Sequence, residues 1–226
     1  MKGKINSFLK SNKCLWILAY WPIHGLWYML LQNTTMSRSP IAIASELDRV
    51  IPFNEWFVIP YALWYVQIAA VSVYLIVKNK EYFTRLYLYM FGGMLICMLI
   101  CTVFPMYFDR TGLEMYPRDN LLTEGVKLLQ GFDPPTTVLP SMHVYVTLGL
   151  HFAVCKACTG KENRLLRYAS LAFSLSVCLA TVFIKQHSVL DVAAALPLCI
   201  VMYLFAYKPA YKGLLQKLDV AEKISA

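Results

Sequence analysis

Residues 86–104 read LYLYMFGGMLICMLICTVF, nineteen residues without one charged side chain. A helix of about 20 apolar residues is long enough to cross the hydrocarbon core of a bilayer. The same composition extends over the whole chain, because 58% of its 226 residues are hydrophobic and only 15% are charged. The sequence therefore predicts that the surroundings of this protein are lipid. Within the run, Gly92 and Gly93 are expected to permit close contact with another helix.

Five further apolar runs accompany this one. The six together predict an all-α polytopic membrane protein with six transmembrane helices in one bundle, at residues 14–32, 56–77, 86–104, 139–155, 168–184 and 188–207. The chain shows no internal repeat and no linker, so residues 1–226 are interpreted as one domain. The first run is longer than the core of a signal peptide and no cleavage site follows it, so we expect it to be retained as a span.

Basic residues are unevenly distributed between alternate segments. Fifteen of the 21 Lys and Arg residues lie in the N-terminal segment, the second and fourth connections and the C-terminal tail. Because basic residues near span ends stay on the cytoplasmic side, residues 1–13 and 208–226 are predicted to be cytoplasmic. The two long connections, 33–55 and 105–138, are then extracytoplasmic. Within the second, residues 120–131 are predicted to form an amphipathic helix along the membrane interface.

The net charge and the cysteines argue against two other classes of protein. A net charge of +8 does not predict a nucleic-acid partner, because the basic residues fall between apolar runs and form no basic face on a soluble fold. The seven cysteines lie in or next to apolar runs, so no disulfide framework is expected. Cys155 and Cys158 form a CxxC pair without a second one, and we interpret both as packed thiols.

Residues 139–144 read LPSMHV at the predicted outer end of the fourth span. Proline suits the start of a helix, and the free N–H groups of a first turn attract phosphate. Ser141 adds a hydroxyl donor and His143 a titratable imidazole. Taken alone, the motif is explained better by a structural helix start with a His among the lipid headgroups.

Residues 184–192 read IKQHSVLDV at the outer junction of the last two spans. His187 and Asp191 share a helix face, so the carboxylate can hold one ring nitrogen and leave the other free to attack. A structural His–Asp pair is the alternative. The six-span topology nevertheless returns both histidine segments to one face, where ionisable groups are usually functional. We therefore predict one catalytic site formed by His143, His187 and Asp191.

These residues resemble the motifs of the type 2 phosphatidic acid phosphatase superfamily, which comprises magnesium-independent lipid phosphatases and lipid phosphotransferases. Residues 140–143 match its Pro-Ser-Gly-His motif with Met142 in place of Gly, a variant similar to the branch that includes inositol phosphorylceramide synthases. The His-x3-Asp part of its last motif matches at His187 and Asp191. The resemblance extends from the second span to the end of the chain. It implies a six-helix membrane core, no metal and no other cofactor.

The family's phosphate-binding residues are only partly present. Arg110 stands at the arginine position of a degraded first motif. The arginine of the last motif is absent, since its position is occupied by Thr181, and Lys185 is the nearest cation that could replace it. Arg118 and Lys127 are rival ligands in the second long connection.

The resemblance and the chemistry assign the same roles. His187, oriented by Asp191, would attack phosphorus and form a phosphohistidine, while His143 would protonate the departing lipid oxygen. The phosphate oxygens would be neutralised by first-turn amides of the fourth span and by side chains chosen from Ser141, Arg110, Lys185 and Arg118.

Three functions remain open from the sequence. The leading one is hydrolysis of a lipid phosphate or pyrophosphate, such as phosphatidic acid, phosphatidylglycerol phosphate or a polyprenyl diphosphate, at the outer face of a bacterial plasma membrane. The second is transfer of the phospho-headgroup to an alcohol acceptor such as inositol or another lipid. The third is a transporter, which predicts inverted repeats and midplane sites, whereas these groups cluster at one boundary.

Overall fold

The computed structural model describes residues 13–207, so the predicted cytoplasmic location of residues 1–12 and 208–226 lies outside the described part of the chain. The described residues are mostly helical. The helices are α1 (Tyr20–Thr34), α2 (Glu46–Val50), α3 (Val58–Lys78), α4 (Lys80–Val103), α5 (Leu121–Phe132), α6 (Met142–Ala157), α7 (Arg164–Phe183) and α8 (Val189–Tyr207). Short 3-10 turns occur at Lys13–Ala19, Met36–Arg38, Glu55–Phe57 and Lys161–Asn163, and two short strands are β1 (Ile41–Ile43) and β2 (Met106–Phe108).

Five helical segments are long and apolar enough to cross a membrane: Cys14–Thr34, Glu55–Lys78, Lys80–Val103, Lys161–Phe183 and Val189–Tyr207. They correspond to five of the six predicted spans. The third begins six residues earlier than predicted because the side chain of Asn79 accepts a hydrogen bond from the N–H of Tyr82 and caps the helix there. A hydropathy pattern does not detect such a polar start.

The fourth predicted span is the shorter helix α6, of 16 residues. At 1.5 Å per residue it is about 24 Å long. Nine of its residues are buried, and it packs against α3, α4, α7 and α8, so it is the central helix of the protein. It begins at Met142 because Ser141 is its N-cap and accepts a hydrogen bond of 3.4 Å from the N–H of Val144.

Helices α4 and α6 interlock through two tyrosines and two glycines. The rings of Tyr89 and Tyr145 stack with their centroids 4.6 Å apart, and the hydroxyl of Tyr89 donates to the main-chain oxygen of Tyr145 at 3.3 Å. Each ring lies against a glycine of the other helix. A Cβ atom at Gly93 would lie 2.0 Å from Tyr145, and one at Gly149 would lie 2.2 Å from Tyr89. The expected close helix contact therefore occurs at Gly93, and also at Gly92, where a Cβ atom would lie 2.5 Å from Met202 of α8.

The two long connections meet in a small sheet that the all-α prediction missed. Strand β1 pairs in parallel with β2, in the register Ile41 to Met106 and Ile43 to Phe108. Strands of three residues are too short to show a periodic pattern in the sequence. Since β1 belongs to connection 33–55 and β2 to connection 105–138, both connections lie at the same end of the molecule.

The predicted helix at residues 120–131 is present as α5. Asn120 caps it by accepting a hydrogen bond of 3.0 Å from the N–H of Thr123. Leu121, Leu128 and Phe132 are more than 60% exposed, which leaves an apolar face without a protein partner among residues 13–207.

Candidate active site

The structure brings His143, His187 and Asp191 into one chain of contacts. His143 is the second residue of α6, His187 lies in the turn between α7 and α8, and Asp191 lies in the first turn of α8. Nδ1 of His143 is 3.2 Å from Nε2 of His187, and Nδ1 of His187 is 3.1 Å from Oδ2 of Asp191. All three side chains are buried. The predicted meeting of the two histidine segments is therefore present in the structure.

The partners of His187 determine where its proton lies. The carboxylate of Asp191 only accepts hydrogen bonds, so Nδ1 of His187 is the donor of that pair. Oδ2 of Asp191 also accepts from the N–H of Ser188 at 3.0 Å, which fixes the carboxylate to the histidine turn. In its neutral form His187 then has a lone pair at Nε2, and this lone pair is directed at His143.

Main-chain hydrogen bonds hold the two histidine segments together. The N–H of Ser141 donates to the main-chain oxygen of Asp191 at 3.1 Å, which joins the start of α6 to the first turn of α8. The N–H groups of Gln186 and His187 both donate to the oxygen of Thr181 at 2.9 Å. Ser141 is completely buried, and its hydroxyl oxygen serves as the N-cap of α6, so it positions His143. Its predicted contact with phosphate stays a prediction.

Asp48, in the first long connection, secures the histidine turn, although no pattern in the sequence identifies it. Its Oδ1 accepts from the N–H of Val189 at 2.9 Å, and its Oδ2 accepts from the hydroxyl of Ser188 at 2.6 Å. The carboxylate is therefore at the N-terminus of α8, where helix N–H groups need acceptors. The first connection is thus part of the site's support.

Lys185, which the sequence suggested as a phosphate ligand, donates to main-chain oxygens of the first connection. Its ammonium donates to the main-chain oxygens of Asp48, at 2.6 Å, and of Ile51. The residue is 2% exposed, and burial lowers the pKa of its ammonium. A cation engaged in this way ties the first connection to the histidine turn, and its contact with phosphate stays a prediction.

Arg118 and Lys127 also have partners away from the histidines. The guanidinium of Arg118 forms two hydrogen bonds with Glu55, at 2.7 and 2.6 Å, and these raise the pKa of Arg118. The ammonium of Lys127 pairs with Glu124 on α5 at 2.6 Å. Both residues therefore contribute to loop and helix structure, and their suggested phosphate-binding role stays a prediction.

Arg110 is the predicted cation that reaches the histidine turn. Its Nη2 donates to Oε1 of Gln186, the residue before His187, at 3.0 Å. Its Nε is buried and has no hydrogen-bond partner among the described residues. Burial lowers the pKa of the guanidinium, which nevertheless remains charged at neutral pH. A charged group with one unsatisfied N–H donor beside the histidine turn is suited to an oxyanion.

A second carboxylate, Asp133, lies beside His143 and was not predicted. It follows α5 directly and accepts hydrogen bonds from the hydroxyls of Tyr28 and Tyr61, the latter at 2.9 Å. The hydroxyl oxygen of Tyr61 lies 3.3 Å from Nδ1 of His143. The four residues come from four separate segments, so no local pattern in the sequence connects them.

Comparison of the chain with protein-family models, curated proteins and solved structures gave no match. The interpretation of the site therefore depends on its geometry and on the two histidine motifs. Among residues 13–207, no group of three His, Cys, Asp or Glu side chains is arranged to hold a metal ion.

A large apolar groove leads to His143. Its volume is about 760 Å³, and residues of α1, α3, α4, α5 and α6 line it. Trp21, Tyr65 and Leu128 are among its apolar lining residues, and His24, Asp133 and His143 are among the polar ones. A hydrocarbon chain is chemically suited to such a lining.

Proposed function

We propose that this protein is a metal-independent membrane phosphatase that cleaves the phosphoester of a lipid phosphate or pyrophosphate through a phosphohistidine on His187. One observation carries the proposal. The imidazole of His187 is held by Asp191 at one nitrogen and presents the other to His143. A nucleophile fixed by a carboxylate, with a second titratable group next to it, is the arrangement that covalent phosphoryl transfer requires.

The reaction has two balanced steps. Nε2 of His187 forms a bond to phosphorus while the phosphorus–oxygen bond to the lipid breaks, and His143 gives its proton to the departing oxygen. His143 then takes a proton from water as the oxygen of that water attacks phosphorus. The phosphorus–nitrogen bond breaks, inorganic phosphate leaves, and both histidines regain their initial protonation.

Substrate binding has to separate the two imidazoles. Nδ1 of His143 and Nε2 of His187 are one hydrogen bond apart, 3.2 Å, whereas in-line transfer needs phosphorus at Nε2 of His187 and the departing oxygen at Nε2 of His143. His187 is held at its ring by Asp191 and at its main chain by Thr181, so the ring of His143 is the one expected to turn.

Arg110 is the main phosphate ligand in this proposal. Its unpartnered Nε–H and the first-turn amides of α6 would bind the equatorial oxygens, where most of the catalytic stabilisation of phosphoryl transfer arises.

In the proposed membrane arrangement, α6 crosses as a sixth helix in the centre of one bundle. Its enclosure by four longer helices supports this, because a helix that is shielded from lipid need not match the full thickness of the bilayer. The distribution of basic residues supports cytoplasmic termini and a site that faces outward in a bacterial plasma membrane. The exposed apolar face of α5 would then rest on the membrane interface.

The apolar groove supports a lipid as the substrate. A phosphate at the histidines places the attached chain next to the groove that His143 lines, and the mostly apolar walls would solvate that chain. A small hydrophilic phosphate ester would leave these walls unused.

A phosphotransferase is the second candidate, and one sequence feature favours it. Met142 replaces the glycine of the Pro-Ser-Gly-His motif, as in the branch similar to inositol phosphorylceramide synthases, and Met142 also lines the groove. The same histidine chemistry would then transfer the phospho-headgroup to an alcohol such as inositol or to another lipid.

The test uses the purified full-length protein in detergent micelles with phosphatidic acid, phosphatidylglycerol phosphate and a polyprenyl diphosphate, each with and without inositol. We expect phosphate release that a chelator does not suppress, and acid-labile phosphate on the protein that is lost in His187→Ala. His151→Ala is the matched control, because His151 contacts Ser170 and Cys155 and not the site.

Formation of a phosphoinositol product at the expense of free phosphate would establish the transferase instead. Uptake of a labelled lipid phosphate into liposomes without any release would overturn both enzymatic proposals and support a transporter.

A further inference from the structure

We propose that Asp133 is a positioning residue for His143 and acts on it through the hydroxyl of Tyr61. In this role Asp133 keeps the proton of the neutral imidazole on Nδ1 and stabilises the imidazolium that protonates the departing lipid oxygen. The inference rests on the proposed function and adds a second acidic group to the site.

The direction of the hydrogen bonds follows from an inventory of donors. A carboxylate has no hydrogen to give, so the hydroxyl of Tyr61 donates its single hydrogen to Oδ2 of Asp133 at 2.9 Å. The oxygen of Tyr61 can then only accept from Nδ1 of His143, 3.3 Å away, and this N–H is shared with the lone pair of Nε2 of His187 at 3.2 Å until substrate separates the two rings. The lone pair of neutral His143 is left at Nε2, which is the nitrogen that takes up and releases protons.

Asp133 is held in place from three directions. The hydroxyl of Tyr28, on α1, donates to Oδ1, and the hydroxyl of Tyr61, on α3, donates to Oδ2. The side-chain amide of Gln186, in the histidine turn, donates to the main-chain oxygen of Asp133. The hydrogen bonds from two tyrosine hydroxyls hold both carboxylate oxygens of Asp133 in position next to His143.

Each of the two histidines therefore has its own carboxylate, one in direct contact and one acting through a hydroxyl group. Asp191 contacts His187 directly and fixes a nucleophile that is neutral when it attacks. Asp133 lies one hydroxyl group away from His143, and its negative charge opposes the positive end of the α6 dipole, which disfavours an imidazolium at the second residue of the helix. Because the hydroxyl separates the charges, His143 can still release its proton.

Leaving-group dependence distinguishes this role from a structural one. A long-chain alkyl phosphate has a poor leaving group that needs a proton, whereas a nitrophenyl phosphate with a chain of the same length has a leaving group that departs without one. In Asp133→Asn and Tyr61→Phe we expect kcat for the alkyl ester to fall about tenfold to a hundredfold, since general acid–base catalysis as a whole contributes about 10²–10⁴-fold. The loss for the nitrophenyl ester should be less than threefold.

Two further variants complete the experiment. Asp119→Asn removes an exposed carboxylate from the second long connection and should leave both rates unchanged. Tyr28→Phe removes a hydrogen bond from Asp133 and leaves the contact between Tyr61 and His143, so its effect should be smaller than that of Tyr61→Phe. A melting temperature within 3 °C of wild type would show that each variant is folded.

Equal losses for the two esters, or no loss for either, in folded Asp133→Asn would overturn the role of Asp133. This result differs from failure of the proposed function, in which the wild-type protein itself would release phosphate from neither ester.

Discussion

The ammonium of Lys185 donates a hydrogen bond of 2.6 Å to the main-chain oxygen of Asp48, a residue 137 positions earlier in the chain. The carboxylate of Asp48 in turn accepts from Ser188 and Val189, so the same short helix is bound to the histidine turn from both sides of His187. The first long connection therefore stabilises the turn that presents the proposed nucleophile.

Lys185→Met tests this structural role. Methionine keeps the length of the side chain and removes the ammonium, so the main-chain oxygens of Asp48 and Ile51 lose their charged donor. We expect a loss of about 1.5–3 kcal/mol in the free energy of unfolding, as is typical for hydrogen bonds to a charged group. Thermal unfolding in detergent measures it. A higher KM with an unchanged melting temperature would show instead that Lys185 binds phosphate.

Arg110→Gln should weaken phosphate binding and catalysis. The variant removes the charge and the unpartnered Nε–H while keeping an amide near Gln186. We expect kcat/KM for a lipid phosphate to fall about 10²- to 10³-fold, as when one preorganised donor to a developing anion is removed. Steady-state phosphate release measures the change. Lys127→Gln is the control, because Lys127 pairs with Glu124 and should change kcat/KM less than twofold.

The sequence predicted the parts of this protein that depend on local pattern. Long apolar runs identify helices that can cross a membrane, because lipid and the protein core both demand apolar side chains. The spacing of His187 and Asp191 predicts their contact, since residues four apart share a helix face. The burial of α6 was not predicted, because hydropathy does not distinguish a helix surrounded by helices from one that faces lipid.

The tertiary contacts around the two histidines could not be predicted from local sequence patterns. Tyr61 and Tyr28 are 72 and 105 residues from the Asp133 that they bind, and no local pattern encodes distances of this kind. The sequence named Arg110 and Lys185 as candidate phosphate ligands, with Arg118 and Lys127 as rivals. Only the tertiary partners distinguish Arg110, which keeps an unused donor, from Lys185, which is bound by main-chain oxygens.

Gly93→Ala should disrupt the packing of α4 on α6. The added methyl group would lie 2.0 Å from Cζ of Tyr145, so the helices must move apart or the stacked ring must shift. We expect a destabilisation of about 1–3 kcal/mol from overpacking, measured by thermal unfolding in detergent. Gly25→Ala is the control, because a Cβ atom there meets nothing within 4 Å.

The double variant Gly93→Ala, Tyr145→Ala identifies the cause of that destabilisation. If the clash with the ring is responsible, the second substitution removes it and the two effects are not additive. Additive losses would mean that Gly93 is required for a reason other than the ring of Tyr145.

Ala62→Trp should shorten the lipid that the protein accepts. Ala62 lines the groove on α3, one residue from Tyr61, and an indole there would occupy part of the 760 Å³ that we assign to the hydrocarbon chain. The variant should raise KM for a lipid phosphate with chains of 16 carbons at least tenfold and leave KM for a phosphate with a chain of six carbons within twofold. Phosphate release over a series of chain lengths measures this. An equal rise for every chain length would indicate that the indole disturbs His143 itself, and unchanged KM values would show that the chain lies outside the groove.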